Sequence, residues 1–131
     1  MTTGAAQRRE QAASAYLVEL AACPGHQVLA ILAGKWVTLL VEVLSGGPTR
    51  YGELARRVPG VTPKMLTQTL RELQRDGLVA RQVTPTTPVQ VEYRLTPLGE
   101  SFFTLQRQVR TWAELHAATI ADARVSWDGS R

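Results

Sequence analysis

Apolar positions along this chain recur mostly at three- and four-residue spacing, and one short stretch alternates instead, so the pattern predicts helices around a small β-ribbon. Residues 14–22 carry Tyr16, Leu17, Leu20 and Ala21 at helical spacing, and Pro24 then forces a break or a new helix start. Residues 27–33 continue helical, with Val28, Ile31 and Leu32 apolar. Past Gly34, Trp36, Leu39, Leu40, Val43 and Leu44 follow an i, i+3, i+4, i+7, i+8 register, which predicts a core helix ended by Gly46, Gly47 and Pro48. Residues 49–51 predict a very short strand. Residues 52–58 predict a two-turn helix with Leu54 and Ala55 inward and Arg56 and Arg57 outward, and Pro59 and Gly60 a tight turn.

The most informative element is the helix predicted over residues 62–76. Thr62 suits its N-cap and Pro63 its first position, where a missing N–H costs nothing. Gly77 supplies the left-handed residue that stops it, and Leu78 is placed to pack back on the last turn. At about 100° per residue, Leu66, Leu70 and Leu73 form one apolar stripe. Lys64, Gln68, Arg71 and Arg75 gather on the opposite side, with Thr67 beside them. Such a face suits the solvated side of an ordinary amphipathic helix. It also carries the donors that read base edges and hold phosphates. Its place directly after a short helix and a Gly-containing turn is the helix-turn-helix plan, which favours a DNA-recognition helix. Next, Val79, Arg81 and Val83 alternate with Ala80 and Gln82, and later Val89, Val91, Tyr93 and Leu95 alternate with Gln90, Glu92 and Arg94. The T-P-T-T-P segment between them predicts a Pro-stiffened loop. A two-stranded ribbon in that place is a wing.

Thr96 and Pro97 repeat the cap signature and open the last helix, where Leu98, Phe102, Leu105, Val109, Trp112 and His116 recur at spacings of four and three. That heptad-like seam is longer than a small winged domain needs for its own core, and it predicts association with a partner helix. Tyr16 and Leu20, with Leu105, Val109 and Trp112, are the candidate dimer residues. Residues 1 to about 11 are small and polar and predict a mobile start, and the chain from about Asp122 predicts a frayed tail. The organisation expected is an N-terminal extension and helix over 1–22, a winged helix-turn-helix over 23–96, a dimerisation helix over 97–121 and a flexible tail over 122–131. The fold class is mainly α with a small β-hairpin wing.

Charge sharpens this picture. At 131 residues the chain fits one domain with short extensions. The formal net charge of +4 lies wholly between Lys35 and Arg94, where nine basic side chains stand against five acidic ones. A local basic excess points to a polyanionic partner. Cys23 is the only cysteine, which leaves no intrachain disulfide framework and points to a reducing compartment. No apolar run approaches a membrane span, and the first residues lack the apolar core of a signal peptide, so a cytoplasmic location is expected.

Several segments also resemble a known family when taken together. They are C-P at Cys23 and Pro24, G-K-W from Gly34, R-Y-G-E-L from Arg50, P-G-V-T-P-K-M-L-T-Q-T-L-R-E-L from Pro59, D-G-L from Asp76, V-E-Y-R-L-T-P-L-G from Val91 and W-A at Trp112. In this order and spacing, from Cys23 to about Ala113, they resemble the HxlR family of bacterial transcription regulators, related to the larger MarR group. Each motif alone is modest, and the ordered set is highly specific. The resemblance implies a winged helix-turn-helix homodimer on duplex DNA, with the terminal helices forming the dimer, residues 62–76 in the major groove, and the wing tip, Thr86 and Thr87, near the neighbouring minor groove. Two departures stand out. Gln90 occupies a position that is often basic in the family, which weakens the wing as a phosphate clamp. Gly52 replaces a common Ser and removes a cap or phosphate contact.

Catalysis finds little support. His26 and His116 lie far apart in the pattern, and no nucleophile elbow, Gly-rich phosphate loop or H-E-x-x-H motif is present. One Cys and two scattered His fall short of a metal site, so neither metal nor cofactor is expected. Cys23 keeps two readings. Before Pro24 at a helix start its thiol can be activated, and some members of the resembled family sense oxidants or electrophiles there. Alternatively it packs the start of that helix, as free cysteines usually do. A winged-helix protein-interaction module would favour acidic or apolar residues on the outward face of residues 62–76, which are absent, and a small effector-binding enzyme lacks the catalytic set. The expectation is a dimeric, sequence-specific DNA-binding regulator. Lys64, Thr67, Gln68 and Arg71 would read bases, and Arg75, Arg50 and Lys35 would hold phosphates. The operator would be palindromic, and a small-molecule or electrophile effector would act near the dimer helices.

Overall fold

Leucine-rich faces from three helices meet the inner face of a small sheet to form the core. The computed structural model describes residues 4–130. The chain runs α1 (Ala5–Ala22), α2 (Pro24–Leu32), α3 (Lys35–Leu44), β1 (Thr49–Arg50), α4 (Tyr51–Arg57), α5 (Pro63–Arg75), β2 (Val79–Thr84), β3 (Gln90–Leu95) and α6 (Pro97–Gly129). The antiparallel sheet has the order β1-β3-β2, with Thr49 opposite Tyr93, Val79 opposite Leu95 and Arg81 opposite Tyr93.

α5 follows its local signals. Thr62 Oγ1 accepts from Met65 N at 3.2 Å, and the apolar stripe of Leu66, Leu70 and Leu73 is buried. Gly77 takes φ +77°, which lets Leu78 N donate to Leu73 O at 2.9 Å and turns Leu78 into the core. α3 departs from its expected stripe. Val37 and Val41 are buried with Leu40 and Leu44, while Trp36, Leu39 and Val43 are only partly buried. The reason is position: α3 packs against α2, α4, α5, α6 and β3, so no single stripe describes its dry side. Ala55 is exposed rather than inward, because Leu54 and Val58, one turn apart, take the core side of α4. Tyr51 opens α4 rather than ending the strand, since β1 stops at Arg50, which is the extended N-cap.

The end of α5 and the start of α6 are riveted together. Thr96 Oγ1 accepts from Gly99 N at 3.1 Å and donates to Gly77 O at 2.5 Å, and Thr96 N donates to Leu78 O at 3.0 Å. Gly99 permits this approach, for a Cβ there would overlap the Leu78 carbonyl and press on Leu95. Further on, Gln106 Nε2 donates to Thr38 O at 2.9 Å, and Arg110 pairs with Glu42 at 2.7 Å. The hydrogen bond from Arg110 to Glu42, and the Glu42 charge, raise the Arg110 pKa.

Both chain ends are more helical than expected. α6 has 33 residues, a rod of about 50 Å at 1.5 Å per residue. It continues through Asp122 to Gly129 instead of fraying, because no Gly or Pro interrupts it after Gly99. α1 already begins at Ala5, where Ala, Gln, Arg and Glu are strong helix formers; the expectation for residues 1–3 lies outside the described residues. α1 and α2 meet at a 64° bend, and among the described residues no single helix is long and apolar enough to cross a membrane.

Candidate nucleic-acid interface

The outward side of α5 is polar along its whole length. Lys64, Gln68, Arg71 and Arg75 are exposed, Thr67 is half-buried, and with Pro63 they line one shallow groove that also holds Glu72, a carboxylate the sequence reading left off this face. Gln68 Nε2 lies 3.4 Å from Glu72 Oε1, a long contact that leaves the amide nearly free to face a ligand. Behind this face the Tyr51 hydroxyl donates to Pro63 O at 3.2 Å and meets Thr67 Oγ1 at 3.0 Å. Tyr51 thereby ties α4 to the first turn of α5 and sets the angle of the helix-turn-helix. Sequence reasoning missed this residue by placing it at a strand end, although an aromatic hydroxyl at a helix start facing a following helix was a usable signal. Thr69 is buried and satisfied through Met65 O at 2.7 Å.

The flanking candidates sit apart from that groove. Arg50 Nη2 donates to Gln90 Oε1 at 2.8 Å, so Gln90 anchors an arginine to the wing. Arg50 lines a second groove with Arg56, Arg57, Glu53 and Glu92, where Arg56 pairs with Glu53. Lys35 Nζ lies 5.0 Å above the Trp36 ring at the start of α3. Thr86 and Thr87 are exposed in the loop between β2 and β3, and Thr86 Oγ1 donates to Pro88 O at 2.8 Å.

The candidate dimer residues stand on open helices. α1 and α2 bury no residue. Tyr16 is 63 % exposed, Leu105 51 %, Val109 61 % and Trp112 57 %, while Leu20 is half-buried. Phe102, a member of the same seam, packs against the core. The rings of Trp112 and His116 stack with centroids 4.5 Å apart. Cys23 is exposed at the α1–α2 joint, where it is the N-cap residue of α2. Among the described residues no group of three or more His, Cys, Asp or Glu is arranged to hold a metal.

Comparison with known proteins places this geometry among relatives. The model of the HxlR-like helix-turn-helix family matches residues 31–120. YtfH of Escherichia coli, described as an HTH-type transcriptional regulator, is 36 % identical over 102 residues, covering 78 % of this chain and 81 % of that protein. The structure of YtfH from Salmonella typhimurium superposes with a TM-score of 0.70 at 36 % identity, covering 78 % of this chain and 91 % of that one. Diamide-treated YodB from Bacillus subtilis gives a TM-score of 0.64 at 35 % identity, covering 71 % and 93 %.

Proposed function

Because the chain belongs to the HxlR-like helix-turn-helix family of transcriptional regulators, we propose that it binds duplex DNA as a homodimer and sets α5 in the major groove. The observation that carries this reading is the outward face of α5, where Lys64, Gln68, Arg71 and Arg75 stand in one groove while the leucine stripe behind them is sealed. Lys64, Thr67, Gln68 and Arg71, towards the helix N-terminus, reach base edges. Arg75, Arg50 and Lys35 hold phosphates, and Thr86 and Thr87 approach the adjoining minor groove.

A second copy covers α1 and the exposed seam of α6. Tyr16, Leu105, Val109 and Trp112 are each more than half exposed, and large apolar side chains repeated along one helix face support an association surface. Two-fold symmetry then calls for a palindromic operator with half-sites about 34–36 Å apart. A small-molecule or electrophile effector acts, on this reading, at the dimer helices, where it changes the spacing of the two recognition helices. The protein works in the cytoplasm and catalyses no reaction.

The test is to sequence the fragments that the purified protein retains from a random duplex library. An enriched inverted repeat is expected. Enrichment of a single half-site would remove the dimer from the reading, and no enrichment at all would remove sequence-specific DNA binding.

A further inference from the structure

Between α5 and the wing lies a cleft of about 360 Å³, lined by Thr67, Leu70, Arg71, Gln74, Arg81 and Tyr93. Strand parity brings Arg81 there. It stands opposite Tyr93 on the sheet face that also carries Val79 and Leu95, both buried. A guanidinium on that dry face must emerge beside α5 to stay solvated.

The lining holds two arginines and no carboxylate. Among the described residues neither Arg71 nor Arg81 has an ion pair or hydrogen bond. Tyr93 is only 8 % exposed, yet no hydrogen bond within the described residues engages its hydroxyl. That hydroxyl is not sealed in the core either, since the one fully enclosed unpartnered side-chain atom among the described residues is Gln106 Oε1. It opens on the cleft. Gln74 is turned back on its own helix, donating to Leu70 O at 3.2 Å. What remains is a set of donors, guanidinium forks and a phenol, which suits a phosphate oxyanion.

Thr67 and Arg71 line both this cleft and the groove along α5, so the two surfaces are continuous. DNA seated on α5 therefore brings its backbone to the cleft. We propose that Arg81 and Tyr93 clamp one DNA backbone phosphate at the edge of the major groove, fixing the register in which Arg71 meets the bases. This rests on the DNA-binding reading above.

The test measures the affinity of the full-length protein for a labelled random-sequence duplex across a salt series, with thermal melting to verify folding. Arg81→Gln should lower the slope of log affinity against log salt by about 0.9, the value for one phosphate. Arg81→Lys should keep the wild-type slope. Tyr93→Phe should weaken binding about ten- to hundredfold with the slope unchanged, as the loss of one hydrogen bond to a charged group requires. A wild-type slope in Arg81→Gln, or wild-type affinity in Tyr93→Phe, overturns the clamp. If Arg75→Ala lowers the slope and Arg81→Gln does not, the clamp falls and the DNA reading stands. If the wild type shows no salt-dependent binding, the DNA reading itself has failed. Calorimetric binding of inorganic phosphate without DNA, lost in Arg81→Gln, would reassign the cleft to a free phosphate ligand and also overturn the clamp.

Discussion

Tyr51→Phe offers the sharpest check on how the recognition helix is held. The substitution removes one oxygen and with it two contacts, to Pro63 O at 3.2 Å and to Thr67 Oγ1 at 3.0 Å. A net intramolecular hydrogen bond stabilises by about 0.5–1.5 kcal/mol. Both side chains are half-buried, so water recovers part of the loss, and about 1–2 kcal/mol is expected in total rather than the sum of two full bonds. Thr67→Val keeps the branched shape and breaks only the shared bond, for about 0.5–1.5 kcal/mol. Since that bond is lost in either single variant, the double variant should cost less than the two losses added, by the bond's own worth of about 0.5–1.5 kcal/mol. Urea unfolding followed by circular dichroism reads all four proteins, at one protein concentration because the proposed dimer would shift the midpoint. Operator affinity should fall in both single variants, since Tyr51→Phe releases the Thr67 hydroxyl and Thr67→Val removes it. Strictly additive stabilities would show that the two hydroxyls do not interact and that the angle between α4 and α5 is set by the leucines alone.

Arg71→Ala should weaken binding to a selected operator by about 1–3 kcal/mol and relax preference at one base position, whereas Arg75→Ala should weaken all sequences alike; competition binding with single-base operator variants separates the two. Glu at both Val109 and Trp112 should yield monomers by sedimentation, and a dimer surviving that double substitution would move the interface off the α6 seam. Gly99→Ala should destabilise by about 1–3 kcal/mol, as overpacking does, because the new Cβ meets the Leu78 backbone, which cannot swing aside; an unchanged urea midpoint would contradict the close approach of α6 to the turn at Leu78. Cys23 is exposed in a single protomer and should label fully with a thiol probe under native conditions. Protection that disappears on dilution to monomers would instead show that a second copy covers the α1–α2 joint.

The elements that could be read in the sequence are those whose determinants are local. α5 carries its cap, its proline, its stop glycine and its leucine stripe within a single stretch, and each signal meets a hydrogen bond or a buried side chain. The parity of β2 and β3 likewise put Val79, Tyr93 and Leu95 inside. What escaped depends on distant partners. The stripe on α3 was misplaced because five other elements press on that helix, and the role of Tyr51 needs Pro63 and Thr67 to be brought beside it.

Arg81 and Tyr93 show the same divide at the site itself. Their alternation was visible, and the same parity that buries Val79 sends Arg81 towards α5. Recognising a cleft required the register between strands and the distance from sheet to helix, neither of which period alone supplies. α1 and the far half of α6 are the converse case. Their helical character is a local matter of Ala, Gln, Arg and Glu content and was underestimated at both ends. Apart from half-buried Leu20, their large apolar side chains stay exposed in one protomer, so they follow helical periodicity without following the burial that normally explains it. Phe102 anchors the start of the α6 seam on the core, while Leu105, Val109 and Trp112 beyond it stay exposed, and the heptad-like spacing from Leu98 to His116 is the spacing that the proposed second helix would require.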